Sequence, residues 1–402
     1  MQGLTLADIR AAHDRIRSGI YRSPCPPSIP LSELTGCEIF CKLDLLQRTG
    51  SFKERGARNV LLLLDDAARR RGVVAASAGN HALGLAYHGK LLGVPVTVVM
   101  PRFAPLVKVA TCRRLGATVI LEGDSFDDAR TRALGIAARD GLEWIHGFDD
   151  PRVIAGQGTV GLEILADVPD AEAIVVPSGG AGLLAGVAVA AKALAPAIRI
   201  VAVEPAAAGS LSASLAAGRP TPVAVRPTLA DGLAVGCVGE TSFALAAPLV
   251  DRVVTVGEDA LALAVLRLLE LEKTVVEGAG AAALAALFAD ACPELRGRRV
   301  ALVLCGGNID LSIVDRVIEH GLVTDGRRWR FSTRVSDRPG GIARLAAVIA
   351  EEGANVREIV HDRDFSGPDV FSASVTVTVD TADRDHVEAL AARLEAEGFS
   401  VR

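Results

Sequence analysis

Aromatic residues make up only 4% of this 402-residue chain, with two tryptophans and two tyrosines. A core short of large rings has to bury its area through many small aliphatic contacts, and alanine, leucine, valine and glycine are plentiful. Long apolar runs are missing as well. The longest, such as 279–289, end well short of the ~20 residues a membrane-spanning helix needs, so no membrane partner is expected. The start, with Asp8 and Arg10 close in, does not read as a signal peptide. There is no basic excess: the formal net charge is -5, which gives no footprint for nucleic acid. The seven cysteines are odd in number and scattered without a CxxC pair, and Cys37 with Cys41 has no clustered histidine. That argues against a disulfide framework or a zinc site, and reduced thiols in a cytoplasm are the simplest reading.

What is present is a globular composition, 50% hydrophobic and 23% charged, on a chain long enough for two or three domains. Strand and helix patterns alternate from about residue 73 to 320. Strands are predicted over 96–100, 117–121, 173–176, 198–203 and 299–304, with helices over 105–115, 183–194, 260–271 and 279–289. Such alternation builds βαβ units and mostly parallel sheets covered on both faces. A polar stretch around Thr324–Arg328 marks a boundary, so a first domain is expected over 1–323, with a smaller mobile part at about 45–150, and a second over 328–402. In the second, 370–380 alternates strictly, with Phe371, Ala373, Val375, Val377 and Val379 on one face. The order strand, helix, strand, strand, helix, short terminal strand is the ferredoxin-like α+β pattern.

Four segments carry chemistry-capable residues. In Ser51-Phe52-Lys53-Glu54, Ser51 is a plausible N-cap with Glu54 completing a capping box, which puts Lys53 in the first helical turn. The positive helix end disfavours a cation there, which suits a nucleophilic amine, although an ordinary solvated lysine fits the loop alone. Ser77-Ala78-Gly79-Asn80-His81 follows the strand-like 73–76; its backbone amides suit a carboxylate, and a simple helix-capping turn fits equally. Ser178-Gly179-Gly180-Ala181-Gly182-Leu183 has more glycine than a turn requires and suits a phosphate. Gly180-x-Gly182-x-x-Ala185, with Glu204 about 20 residues on, also fits a dinucleotide fingerprint, so an NAD-dependent dehydrogenase stays open at this point. Last, Cys305-Gly306-Gly307-Asn308 ends a strand, where a buried inert cysteine is the plain alternative.

Jointly, and in this order and spacing, the four segments resemble the fold-type II pyridoxal-phosphate enzymes, specifically the threonine/serine dehydratases, over about residues 5–320. The resemblance implies a tryptophan synthase beta-like α/β fold with two parallel-sheet subdomains. It implies pyridoxal 5'-phosphate on Lys53 as a Schiff base, Asn80 at the pyridine 3-oxygen, Gly179, Gly180, Ala181, Gly182 and Leu183 at the phosphate, and Cys305 at the pyridine nitrogen. Phe52 would cover the ring. Ser77, Gly79, Asn80 and His81 would take the substrate carboxylate, with Glu277 sensing the substrate hydroxyl. The implied reaction is β-elimination of L-threonine to 2-oxobutyrate and ammonia. L-serine, threo-3-hydroxyaspartate and a cysteine-synthase-type β-replacement are the alternatives.

Asp337-Arg338-Pro339-Gly340-Gly341-Ile342-Ala343 resembles the first turn of an ACT domain. That implies an amino-acid effector, isoleucine or valine in a biosynthetic role, and homo-oligomers. Departures from the family pattern are Ala181 within the glycine loop, Leu83 for a usual glutamine, and Ala78 where serine racemases carry Ser. Some relatives bind a cation through Glu, a carbonyl and Asp; Glu204 and Ala208 match but Ser210 replaces the Asp, so no metal site is expected.

Overall fold

The computed structural model describes residues 3–363 and 371–402. The chain forms two compact units, Met1–Ile309 and Asp310–Arg402. The first contains two parallel sheets. The larger runs Pro27–Ser28, Glu38–Lys42, Arg299–Val303, Ala173–Pro177, Arg199–Pro205, Arg252–Val256, parallel throughout except for its first pair. The smaller runs Thr118–Leu121, Val96–Met100, Val73–Ala76, Glu143–Trp144, all parallel. Central strands such as Val73–Ala76 and Ala173–Pro177 are buried along their whole length, as sheets covered on both faces require.

The two sheets meet through the helix Pro151–Asp167, which packs against both Lys53–Leu62 and Gly182–Leu194. Its contact with Lys53–Leu62 is made by a pair of glycines. A Cβ on Gly156 would fall 2.6 Å from the Gly56 Cα, so no larger residue fits without separating the helices. The helix that begins at Lys53 is thereby pressed onto the larger body.

In the second unit, Arg328–Ser336, Ser372–Asp380 and Asn355–Asp362 form an antiparallel sheet with Ser372–Asp380 central. Ala373, Val375, Val377 and Val379 are fully buried against Leu345, Ile349, Leu390 and Leu394 from the helices Gly341–Glu351 and Arg384–Ala396. Ser332 and Arg402 exchange both backbone hydrogen bonds, which supplies the short terminal strand. Phe371, expected on the apolar face, is instead 73% exposed just ahead of the strand, and Val370 lies outside the described residues. The helix Leu311–Thr324 belongs to this unit: Arg328 bridges its Glu319 to Asp380.

Candidate active site

Lys53 opens the helix Lys53–Leu62, but not by the expected capping box. Ser51 pairs with Gly306 in an isolated antiparallel bridge, and the Phe52 N–H donates to the Cys305 carbonyl at 3.0 Å. This pairing aligns Ser51 with the strand end, so its hydroxyl does not reach the helix amides and is buried without a partner. The Glu54 carboxylate turns back to the Thr49 amide and to His88. The end of the large sheet, not a local cap, therefore sets where Lys53 begins.

The Lys53 amine is half-buried in the cleft, donates to the Gly147 carbonyl at 2.7 Å, and lies 5.1 Å over the Phe52 ring. Burial pushes its pKa down to about 8, against the pull of the Glu277 carboxylate. An ordinary lysine near 10.5 is uncharged at pH 7 in only about one molecule in 3,000, whereas one near 8 is so in about a tenth. Uptake of pyridoxal phosphate by the apoprotein should therefore rise steeply with pH and level off above about pH 8. Stopped-flow absorbance between pH 6.5 and 9 measures this; a flat profile would show that the amine is not the group being titrated.

His81 stands beside Gly147, the residue that holds the Lys53 amine. It is buried, with its ring against the Ile145 backbone. Burial and then the nearby Lys53 charge push its pKa down to about 3, so the ring is neutral. Ser178, at the start of the glycine loop, also has a buried hydroxyl without a partner. Buried polar atoms left unpaired are costly, and two such hydroxyls, of Ser51 and Ser178, fit a polar ligand that accepts hydrogen bonds.

The glycine loop leads into the helix Gly182–Leu194, whose first amides have no intrahelical acceptors and can hold a phosphate. Leu183 is buried in the core, so only its backbone can serve such a ligand. A Cβ at Gly180 would lie 2.3 Å from the Phe148 ring, and one at Gly182 would lie 2.4 Å from the Phe148 carbonyl. Ala181, by contrast, is buried with φ 67°, a left-handed conformation that costs a non-glycine residue roughly 1–2 kcal/mol. The loop keeps its turn at that position despite the methyl. Gly182→Ala should lower both the melting temperature and cofactor retention, measured by thermal denaturation and dialysis. Helix propensity would favour alanine by about 1 kcal/mol, but the clash with a carbonyl costs about 1–3 kcal/mol and no rotamer relieves it.

Cys305 is buried, its Sγ 3.8 Å from the Ala279 carbonyl, and burial pushes its thiol well above the ordinary range, so it stays neutral. Asn80 begins the helix Asn80–Leu92 and donates to Glu277 Oε1 at 2.8 Å. Burial, reinforced by Asp231, raises the Glu277 carboxyl to about 7. Ser77 accepts from the Gly79 amide at 3.2 Å, and a Cβ on Gly79 would meet nothing within 4 Å, so this loop has open space before it. Glu204, which the dinucleotide fingerprint would place on a ribose, is fully buried with its carboxylate oxygens taken by the amides of Leu211 and Ser212. It caps a helix. Among the described residues no cluster of three or more His, Cys, Asp or Glu is arranged for a metal.

Two features escaped the sequence. The segment His146-Gly147-Phe148 supplies the Lys53 acceptor and backs the glycine loop; its only sequence signal is a glycine just past the strand Glu143–Trp144. The other is a buried charge network two residues beyond Lys53. Arg55 donates to both oxygens of Asp44 (2.9 and 2.6 Å) and both of Glu163 (2.8 Å each), while Lys42 donates to Glu163 at 2.6 Å. Its members are drawn from residues up to 121 apart.

Parallel sheets on either side of a cleft, with a desolvated lysine between a glycine loop and a strand-end cysteine, define a cofactor-dependent enzyme built around an amine. Residues 16–306 match the family described as pyridoxal-phosphate dependent enzyme, and the chain belongs to it; residues 330–399 match the ACT domain. It is 46% identical over 399 residues to the L-threonine ammonia-lyase of Thermotoga maritima, covering 99% of each chain. Threonine deaminase isoform 2 from Solanum lycopersicum superposes with a TM-score of 0.74 at 38% identity, over 78% of this chain and 92% of that one. Maize serine racemase gives 0.75 at 35% identity, over 80% and 98%. Among the described residues, no helix is long and apolar enough to cross a membrane.

Proposed function

We propose that this chain is an L-threonine ammonia-lyase, eliminating water from L-threonine and releasing 2-oxobutyrate and ammonia. The observation that carries the reading is Lys53: an amine whose proton burial makes easier to lose, held by the Gly147 carbonyl, in a chain of a family that uses pyridoxal phosphate. The full-length likeness to a protein named L-threonine ammonia-lyase supports the substrate.

Bound pyridoxal phosphate supplies a sink for the charge that develops when the substrate Cα–H bond breaks. Lys53 anchors it and then takes the Cα proton, a role that suits a pKa near working pH. The amides of Gly179, Gly180, Ala181, Gly182 and Leu183 would hold the phosphate, Asn80 would donate to the 3-oxygen, and Phe52 would cover the ring. Cys305, a neutral thiol, would be the residue at the pyridine nitrogen and would bring no charge to it. Ser77 with the amides of Gly79, Asn80 and His81 takes the substrate carboxylate. Glu277, with its pKa near 7, is positioned to meet the β-hydroxyl as a hydrogen-bond donor or acceptor.

The ACT domain supports regulation by an amino acid, and isoleucine or valine fits a biosynthetic role. Homo-oligomers and a cytoplasmic location complete the reading. L-Serine is a second substrate on a specific ground: one methyl is worth only ~1–3 kcal/mol in a pocket. Racemisation is disfavoured by Ala78, which leaves no hydroxyl at that point of the loop. Steady-state comparison of L-threonine with L-serine, with and without isoleucine, tests the assignment. A higher kcat/KM for threonine is expected; turnover of serine alone would rename the substrate.

A further inference from the structure

One side chain at the site has no part in the chemistry above, yet it ties three loops together. Asn308 Nδ2 donates to the Thr49 carbonyl at 2.5 Å and to Asn80 Oδ1 at 2.9 Å. Asn80 Nδ2 in turn donates to Glu277 Oε1 at 2.8 Å. The direction of this relay is fixed by chemistry. A backbone carbonyl only accepts, so the end of Asn308 facing Thr49 must be its NH2 group. That NH2 then requires the oxygen of Asn80 opposite it. The NH2 of Asn80 is left at the far side, one hydrogen committed to Glu277 and the other free for a ligand.

The backbone has made room for the arrangement. Gly50 has φ 79°, and a Cβ there would fall 2.4 Å from Asn308 Oδ1. The Gly307 amide donates to the Gly50 carbonyl at 2.9 Å, which locks the two loops together beside it. Asn308 is thus held by the loop that precedes Lys53 and orients the residue that opens the helix Asn80–Leu92.

We propose that Asn308 is a positioning residue that sets the amide orientation of Asn80, so that Asn80 presents an N–H and not a carbonyl oxygen to the phenolic oxygen of pyridoxal phosphate. The inference rests on the cofactor reading of the site. An Asn80 turned the other way would set oxygen against oxygen at the cofactor and again at the Glu277 carboxylate.

Two substitutions separate orientation from mere bulk. Asn308→Ala removes the relay but leaves Glu277 holding the Asn80 NH2, so the Kd for pyridoxal phosphate should rise only a few-fold. Asn308→Asp cannot donate; it attracts the Asn80 NH2 to itself and turns the amide over. Its Kd should rise about tenfold or more, the loss of one hydrogen bond to a charged group. The visible spectrum of the loaded protein should shift as well. In the Asn80→Ala background, Asn308→Asp should add nothing further, because there is no amide to turn.

An equal loss in both backgrounds, or wild-type Kd and spectrum for Asn308→Asp, would overturn the proposal. Borohydride reduction followed by peptide mapping separates this from failure of the underlying reading. Cofactor trapped on Lys53 in every variant leaves that reading in place, and none on Lys53 in the unsubstituted protein removes both.

Discussion

Lys53→Ala should lower turnover of L-threonine by at least about ten-thousand-fold while leaving the protein as stable as before, or more so. The activity loss is large because one amine performs two tasks, anchoring the cofactor and moving the Cα proton, and each alone is worth orders of magnitude. The stability forecast follows from the direction of its pKa shift. Burial depresses the Lys53 pKa from 10.5 to about 8, so below pH 8 the folded state carries a charge it disfavours, and this penalty fades only as pH rises through 8 toward 10.5. The lysine also sits in the first turn of its helix, at the positive end of the dipole. Alanine removes both penalties. A melting curve at pH 7 with a lower midpoint for the variant, or retained turnover, would contradict this account.

Arg55→Leu should do the reverse: it touches no substrate but destabilises the fold by about 3–5 kcal/mol, because it strands buried carboxylates. Arg55, Asp44 and Lys42 are fully buried and Glu163 nearly so, which leaves no water to replace the lost guanidinium. The carboxyls of Asp44 and Glu163 are held below their ordinary range by Arg55, against the cost of burial. The double substitution Arg55→Leu, Glu163→Leu returns the network to one cation and one anion, and should recover about 1–2 kcal/mol of the loss. Urea titrations of the two variants measure this. If the double variant is less stable than the single by the full additive amount, the network is not a charge-balanced unit. Arg55 lies two positions after Lys53 on the same helix, so the single variant should also release the cofactor more readily.

The sequence revealed what local pattern encodes. Alternating strands and helices, the βαββαβ order at the C-terminus and the four short segments were all readable because each depends on residues close in the chain. The structure brings Phe52 to Cys305, Asn80 to Glu277 and Lys53 to the edge of the glycine loop through Gly147 and Phe148. The Ser51 capping box failed because a bridge to Gly306, some 255 positions away, outweighed a hydrogen bond three residues away. Arg55 with Glu163 was invisible for the same reason: an arginine in an amphipathic helix reads as solvated until its partners are known. Glu204 matched two motifs, dinucleotide and cation, and the structure shows its oxygens accepting from the Leu211 and Ser212 amides at the start of a helix, a contact no local pattern announces.

The most direct test of the central claim is a single incubation. The purified chain is loaded with pyridoxal phosphate, given L-threonine, and followed for 2-oxobutyrate and ammonia. The account predicts both products in equal amounts, at a rate that Lys53→Ala abolishes. A loaded protein that binds the cofactor on Lys53 yet releases neither product from L-threonine would contradict it.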